Sequence, residues 1–356
     1  AGQRTRVHLF CFQLCYSTTR FVRAYRTERQ EAFLDGLARA LRAVGGVPKR
    51  LTFDNPKTLV TRVFRGHLRQ EHPDFTAFRS HYLFEGHFCN PAKGNEKGHV
   101  EGLVGCVRRN ALVPIPVVTT LSELNTQLEK WCQEDQGRLY KGESVRDRLE
   151  AERGDFRSLP ASDYASCRRT YCTVGRYSDV RVGTNRYSVP TSYVHCPVSI
   201  WAYPERIKVF HQEEKIADHE RSYDLHQDIL DPTHYLPLLA KRPGLLDHGT
   251  AFREWRLPDC FERARYRLKE RSASGAREYI RILRLHERYT TDQIACALEE
   301  AEALGCTGAD TVEMLLRKRW DEPKVYPALN LKEALSSFRV TGVNLKQFDR
   351  LAGVGA

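Results

Sequence analysis

Two acidic residues stand where divalent metal ions could be held between them. Asp54 directly follows the short β-rich run at 50–53, and Glu101 lies off the apolar stripe of a later helical pattern. Carboxylates at a strand end and on a facing helix can hold two Mg²⁺ ions about 4 Å apart, one to activate an attacking hydroxyl and one to stabilise the leaving oxygen of a phosphodiester. The pair therefore predicts two-metal phosphodiester chemistry, with Mg²⁺ or Mn²⁺ as cofactor.

The helix around Glu101 places cationic and small residues on the same face. Lys97, Gly105 and Arg108 stand at i−4, i+4 and i+7 from Glu101, so they share its face of a helix. Small residues let a phosphate backbone come close, and basic side chains then neutralise it. The alternative is a solvated charged face on a flexible helix, which spacing alone slightly favours because charged i, i+4 pairs are common.

The elements that position these residues follow from hydrophobic periodicity. Two period-two runs, at 6–14 and 20–25, predict a β-hairpin. The next apolar stripe predicts a helix that is capped by Thr27 and ended by Gly45 and Gly46.

Three more helices are predicted from the stripes that begin at Phe75, Val100 and Leu121, and the charged segment 141–157 is predicted to be a linker. A hairpin, a helix, a strand ending in Asp54 and a distant helix bearing Glu101 is the order expected of a ribonuclease H-like nucleotidyl transferase.

The second half of the chain changes pattern twice. From Cys167 short strands alternate with turns, which predicts a small antiparallel β-barrel, and after Asp224 the pattern is helical. The predicted domains are a ribonuclease H-like, integrase-type catalytic core at 1–115, a helical segment and linker at 116–160, a small β-barrel at 161–225 and a helical C-terminal region at 226–356.

Composition narrows the class of partner. The 356 residues carry a formal net charge of +11, which is typical either of a nucleic-acid-binding protein or of a merely basic enzyme. The eleven cysteines include no CxxC pair, so neither a zinc site nor a disulfide framework is predicted. No apolar run approaches the roughly 18 residues of a membrane helix, and we predict a cytoplasmic, nucleoid-associated bacterial protein.

Several runs carry a resemblance to a known family. They are Asp54-Asn-Pro-Lys-Thr-Leu-Val60, Phe88-Cys-Asn-Pro-Ala-Lys-Gly-Asn-Glu-Lys-Gly-His-Val-Glu101, Val107-Arg-Arg-Asn110, Gly2-Gln-Arg-Thr-Arg-Val7 and Arg186-Tyr-Ser-Val-Pro190. These runs resemble the IstA-type transposases of the insertion sequence twenty-one family, which are relatives of retroviral integrases within the DDE superfamily. The resemblance covers nearly the whole chain.

The resemblance implies roles for individual residues. Asp54 matches the family's second catalytic aspartate and Glu101 its catalytic glutamate, so both are predicted metal ligands, and Glu96 is a weaker rival for the glutamate. Arg108 stands where integrases carry a basic residue that contacts DNA. The predicted DNA-binding residues are Lys57, Lys93, Lys97, Arg108 and Arg109.

The chain departs from the family pattern at its start. The family's first aspartate lies on a strand before the opening hairpin, and before Asp54 this sequence has only Asp35, which stands in a predicted helix and is expected to be a solvated surface residue. We therefore expect the first metal ligand, and the N-terminal helix-turn-helix DNA reader that the family implies, to be missing from an N-terminally truncated chain.

Three further groups leave alternatives open. Five histidines near the site match no zinc spacing, and we expect structural or DNA-facing roles for them: His67, His72, His81, His87 and His99. Aromatics of the predicted barrel are expected in its core, whereas its arginines are expected to face transposon-end DNA, as the resemblance implies. Arg277, Arg281, Arg284 and Arg288 share a helix face, which is either solvated or a contact for DNA or a partner protein.

Together these inferences predict a DNA transposase. It would cut at transposon ends and transfer the freed 3′-OH to target DNA, acting as a homo-oligomer with an AAA+ ATPase helper of the IstB type that the resemblance implies. A non-catalytic DNA-binding protein derived from such an enzyme, and a nuclease-fold scaffold that only recruits partners, are the alternatives.

Overall fold

The computed structural model describes residues 2, 4–53, 59–63, 69–89 and 98–322, and of residues 60–63, 69–70 and 98–101 it describes the backbone alone. The chain divides into two compact units after Trp255. No helix in the described ranges is long and apolar enough to cross a membrane.

The first unit opens with the predicted antiparallel hairpin. Its elements up to the middle of the unit are β1 (His8–Gln13), β2 (Arg20–Tyr25), α1 (Gln30–Val44), β3 (Arg50–Phe53), β4 (Val60–Val63), β5 (Arg69–Glu71), α2 (Pro73–Tyr82), β6 (Glu85–Phe88), α3 (Gly98–Asn110) and α4 (Leu121–Asp135). β1 pairs with β2 and β4 with β5 in antiparallel fashion, whereas β3 and β6 are parallel. Within the described residues these are separate two-stranded sheets, so the ribonuclease H-like arrangement stays a prediction.

The two faces of the hairpin belong to two different cores, because side chains alternate along a strand. Phe10 and Tyr25 point into the first core, and Val22 and Ala24 point into the second. The first core is completed by α1, β3, α2 and β6, through Leu34, Leu37, Leu41, Leu51, Phe53, Phe75, Phe78 and Phe88. The second is completed by α3 and α4, through Leu103, Val107, Leu124, Leu128 and Cys132. The hairpin is therefore a middle layer between two sets of helices.

Helix α1 lies close against the hairpin at Gly36, where an added Cβ would stand 2.5 Å from Phe10 Cγ. It ends as predicted at Gly45, which adopts a left-handed conformation with φ 85° and donates its amide to carbonyls of the last turn. The predicted cap by Thr27 is wrong. Arg29 is the N-cap and makes no side-chain capping bond, while Thr27 Oγ1 accepts from the Arg29 amide at 3.3 Å.

Helices α3 and α4 pack their apolar faces against the hairpin and form the second core with it. Asn125 of α4 is buried, and its side-chain amide makes two hydrogen bonds to the backbone of Ala24 in β2. Oδ1 accepts from Ala24 N at 2.7 Å, and Nδ2 donates to Ala24 O at 3.1 Å. This side chain satisfies the backbone of the strand where no further strand pairs with it in the described residues.

The segment predicted to be a linker forms structure. It contains β8 (Glu143–Ser144), which pairs with β7 (Leu139–Tyr140), and α5 (Val145–Arg153). Arg148 of α5 is buried, lies 4.2 Å from the Tyr16 ring centroid and donates to the Tyr16 carbonyl. The segment is thus attached to the turn of the hairpin, which a charged sequence does not reveal by itself.

The strands predicted between 161 and 225 form two sheets. They are β9 (Arg168–Thr173), β10 (Asp179–Val182), β11 (Asn185–Ser188), β12 (Pro197–Ala202), β13 (Arg206–His211), β14 (Glu214–Glu220) and β15 (Asp228–Ile229). Their orders are β14-β13-β12-β9 and β10-β11-β15, with no closed ring of hydrogen-bonded strands in this fully described region. One core joins the two sheets, and Tyr187, Ile200 and Ile207 lie within it. Three short helices, α6 (Leu236–Lys241), α7 (Leu245–His248) and α8 (Thr250–Arg253), close the first unit.

A buried ion pair connects this sheet region to the hairpin layer. Arg221 Nη1 donates to Glu31 Oε1 of α1 at 3.0 Å and to Tyr203 O at 2.7 Å, and both charged side chains are 4% exposed. Each charge would be costly to bury alone. The pair therefore couples α1 to the four-stranded sheet.

Two buried histidines lie between the sheets. His219 Nε2 donates to Ser188 O at 2.6 Å, and Ser188 Oγ lies 2.9 Å from His234 Nδ1. Burial lowers the pKa of both imidazoles, that of His234 to about 4, and the nearby carboxylate of Asp231 opposes this only in part. Both rings are therefore neutral near pH 7.

The second unit is helical, as the periodicity predicts. Its helices are α9 (Asp259–Arg271), α10 (Gly275–Arg284), α11 (Thr291–Ala303) and α12 (Ala309–Trp320). Helix α11 begins with a capping box in which Thr290 and Gln293 exchange side-chain and backbone bonds. At Gly275 an added Cβ would stand 1.8 Å from Leu268 O, so only glycine fits where α9 and α10 meet.

The change Glu31→Gln leaves the Arg221 guanidinium buried without its counter-charge. We expect it to lower the free energy of unfolding of the first unit by about 3–5 kcal/mol, measured by urea unfolding. Glu85→Gln removes the exposed Arg50–Glu85 pair and should cost less than about 1 kcal/mol. Equal effects of the two changes would contradict a coupling role for the buried pair.

Acid should destabilise the sheet region through His234. The unfolded chain takes up a proton near pH 6.5 whereas the folded chain resists it until about pH 4, so stability is lost as the pH falls through this window. We expect a loss of about 2 kcal/mol between pH 7 and pH 5, measured by hydrogen exchange of peptides from 179–234. His234→Gln should flatten this dependence, and His248→Gln, at an exposed position, should leave it unchanged.

Candidate functional site

Two parallel strands, β3 and β6, end at one edge, and the first of them leads into Asp54 in the sequence. Phe53 of β3 is in register with Phe88 of β6, and the Cys89 amide donates to Phe53 O at 3.0 Å. The carboxyl ends of both strands therefore lie at one edge, and Asp54 is the next residue after β3. Asp54 itself lies outside the described residues, as do Glu96, Lys57, Lys93 and Lys97.

The residue before Asp54 is the most firmly held of this edge. The Phe53 ring is in contact with four other rings, at centroid distances of 6.2 Å to Phe33, 5.3 Å to Phe75, 6.2 Å to Phe84 and 5.6 Å to Phe88. Such offset and edge-to-face contacts add to the hydrophobic burial of each ring. The cluster fixes the point at which the chain leaves the sheet.

Glu101 lies in the first turns of α3, where the backbone alone is described. Leu103 and Val107 of this helix are buried in the second core. A period of 3.6 residues then places Glu101, Gly105 and Arg108 together on another face. The shared face with Lys97 stays a prediction, because Lys97 and the Glu101 side chain lie outside the described residues.

That face of α3 presents little bulk. An added Cβ at Gly102 would meet no heavy atom within 4 Å, and one at Gly105 would meet the Arg109 guanidinium at 3.4 Å. Arg108 and Arg109 are both exposed. Two cations beside an open helical surface are suited to a phosphate backbone.

A polar network that the sequence did not indicate holds the far end of α3. Arg20 of β2 donates to Asp135 Oδ1 at 3.0 Å and to Cys106 Sγ at 3.4 Å, and Asn110 Nδ2 donates to Cys106 O at 2.9 Å. Arg20 was not a candidate because its partners come from two distant helices. Its place at the start of a strand that packs on α3 was the only available signal.

Asp35 is not the solvated surface residue expected from the sequence. Its carboxylate accepts from Tyr25 OH at 2.6 Å and from Arg39 Nε at 2.8 Å. Burial, and secondarily the charge of Asp35, raise the pKa of the Tyr25 phenol well above its usual value. Asp35 therefore fastens α1 to β2.

The described histidines near the site have individual contacts. His72 caps α2 by accepting from Asp74 N at 3.3 Å, and His81 Nε2 donates to Ser162 O at 2.9 Å. His87 is exposed on β6, whereas His67 and the His99 side chain lie outside the described residues. Over the described part of the chain, no three His, Cys, Asp or Glu side chains gather as metal ligands.

The sheet region displays aromatic and cationic residues together. Arg169 lies 4.2 Å from the Trp201 ring centroid, and Trp201 lies 4.7 Å from Phe210. The expectation of core aromatics holds for Tyr187, which is 1% exposed, but is wrong for Tyr171, which is 80% exposed. Arg186 is held by Asp228 in a two-point ion pair.

The arginines of the C-terminal helices are largely neutralised within their own unit. Arg281 pairs with Asp310, Arg284 with Glu287 and Arg288 with Asp321. Glu302 likewise binds both Arg263 and Arg267. Residues 256–322 contain thirteen Lys and Arg and thirteen Asp and Glu, so this surface has no net charge with which to attract phosphate.

Comparison with known proteins places the chain among transposases. The domain family described as "Mu transposase, C-terminal domain" matches residues 159–231, which span both sheets of the β region. A "Transposase" of Aminobacter aminovorans is 32% identical over 366 residues, covering 98% of this chain and 70% of that protein.

Two relatives from Pseudomonas aeruginosa carry more specific names. The "Transposase for insertion sequences IS1326/IS1353" is 31% identical, covering 99% of this chain and 70% of that protein. The "Transposase for insertion sequence element IS21" is 28% identical over 243 residues, covering 67% of this chain and 62% of that protein. Two of these relatives are more than 30% identical and are matched over more than two thirds of their length, so the chain belongs to the transposases of insertion sequences, and its similarity extends to that of IS21.

Proposed function

We propose that this transposase cuts DNA at the ends of its insertion sequence and joins the freed 3′-OH to target DNA by in-line transesterification. The observation that supports the proposal is the packing of the strand that precedes Asp54 in the sequence and of the helix that contains Glu101. Asp54 directly follows the strand fixed by the Phe53 cluster, and Glu101 lies on the helix fixed by the second core. These two cores are the two faces of a single hairpin. We also propose that this scaffold is a ribonuclease H-like core of the DDE type.

The donor chemistry fits a magnesium or manganese pair. Asp54 and Glu101 would offer carboxylate oxygens, which are the hard ligands that these ions prefer. Two ions bound there would lower the pKa of an attacking hydroxyl and neutralise the leaving oxygen. The chain's own part is to hold both carboxylates in place and to keep the neighbouring helix face open to the phosphodiester.

DNA would be held by cations on either side of these carboxylates. Arg108 and Arg109 of α3 are exposed, and Lys57, Lys93 and Lys97 are the further candidates. Contacts of this kind bind the backbone without reading sequence. They would position a scissile phosphate against the carboxylates.

Two protein partners belong to the proposal. Joining two insertion-sequence ends to one target requires more than one active site, so we propose a homo-oligomer. We further propose an AAA+ ATPase helper of the IstB type. The C-terminal helices offer it a surface with balanced charge and with exposed Tyr266, Leu304 and Met314.

Replacing either carboxylate tests the chemistry. Asp54→Asn and Glu101→Gln keep the shape of the side chain but remove its charge, and we expect each to reduce end cleavage and strand transfer by at least about 100-fold. DNA affinity should be retained in a gel-shift assay. Glu129→Gln, at an exposed position on α4, is the control and should keep full activity. Activity that survives either active-site change would remove that residue from the mechanism.

Salt dependence tests the phosphate contacts. The double change Arg108→Gln and Arg109→Gln should lower the slope of log affinity against log salt by about 2. Arg281→Gln removes a cation that is already paired with Asp310 and should leave the slope unchanged. An unaltered slope in the double variant would place DNA elsewhere on the protein.

A further inference from the structure

Strand β9 is an open edge of the four-stranded sheet. It pairs with β12 on one side, and in the described part of the chain no strand pairs with its other side. Five of its six residues are exposed, and the sixth, Cys172, is partly buried against the core. Such an edge is a template for another strand.

The register determines which backbone groups point outward. In an antiparallel pair, residues alternate between positions bonded to the partner strand and positions whose N–H and C=O point away. The Val174 amide donates to Cys196 O, and Thr173 lies opposite Pro197, which has no amide hydrogen to give. Arg168, Thr170 and Cys172 are therefore bonded to β12. Arg169, Tyr171 and Thr173 direct their N–H and C=O groups to the free edge.

We propose that β9 pairs in antiparallel fashion with β9 of a second copy of this chain, centred on Tyr171. In that register Tyr171 meets Tyr171 of the second copy, and Arg169 meets Thr173 in both directions. All three outward residues of each strand are then bonded, and the two four-stranded sheets become one. The contact is isologous, as expected of a two-fold dimer.

The alternatives to this register are poorer. A shift of the second strand by one residue places residues whose N–H and C=O groups are already bonded to β12 opposite the outward residues of the first strand. A shift by two residues leaves one outward residue of each strand with no partner in the other strand. A shift by four residues in one direction places Arg169 opposite Arg169. Like charges directly opposite each other destabilise a sheet. The edge therefore has one register that satisfies it completely.

The side chains of the edge also fit a second copy. Tyr171, the large apolar residue of the strand, is 80% exposed in the single chain and would be covered by its counterpart, as cross-strand aromatic pairs are. Arg169 is stacked on Trp201, and in this register it lies opposite Thr173 of the second copy and not opposite another arginine. The inference rests on the proposed function only for the expectation of a homo-oligomer, and it is independent of the carboxylates.

A cysteine cross-link tests the register directly. Thr170 would stand opposite Cys172 of the second copy at a non-hydrogen-bonded pair, where the short Cα separation suits a disulfide. The variant Thr170→Cys, oxidised in solution with copper phenanthroline, should give a covalent dimer whose linking peptide joins positions 170 and 172 by mass spectrometry. The double variant Thr170→Cys, Cys172→Ser is the matched control and should not form this link.

A charged residue at position 173 distinguishes pairing between two copies of β9 from a contact of β9 with DNA. Thr173→Glu would face Arg169 of the second copy twice in each dimer and should tighten dimerisation by about 2- to 30-fold, measured by sedimentation of the full chain without DNA. Thr173→Lys should weaken it. If the lysine variant dimerises as well as the glutamate variant, or if the 170–172 link does not form, the proposal fails. Neither result bears on Asp54 and Glu101, whose test is DNA cleavage.

Discussion

The packing of Phe53 is the constraint on which the end of β3, the candidate edge of the active site, depends. Its ring touches four others drawn from α1, α2 and the segment leading through β6, so three elements must be in place before the end of β3 is defined. A residue in such a cluster has little freedom to shift, because protein interiors are packed as densely as organic crystals. Asp54 is the next residue in the sequence.

The hairpin connects the Phe53 cluster with helices α3 and α4, because each of its two faces packs against one of them. Phe10 and Tyr25 face the Phe53 side, while Val22 and Ala24 face α3 and α4. A change in strand register by one residue would exchange these faces and expose both cores. The Asn125 amide on Ala24 and the Arg20 contact with α3 oppose such a slip.

Hydrophobic periodicity was sufficient to predict the elements that bury a single apolar face. The hairpin, the end of α1 at Gly45 and the C-terminal helices were predictable because each depends on neighbouring residues. The α5 segment was not predictable, since its charged sequence gives no sign that Arg148 is buried against Tyr16 and Tyr140. Asp35 was misjudged for the same reason: Tyr25 and Arg39 reach it through the fold. The candidate carboxylates were proposed from motifs and stay a prediction, whereas the polar network around Arg20 that holds α3 could not be predicted from them.

Charge is distributed unevenly along the chain, and this affects which parts of it could bind DNA and which could bind a protein partner. The whole chain has a net charge of +11, yet residues 256–322 are balanced, and their arginines are bound by carboxylates of the same unit. Counterion release from DNA requires cations that are free to replace the counterions. The excess charge lies outside these helices. This supports the proposal of a protein partner for them and of phosphate contacts through exposed cations such as Arg108 and Arg109.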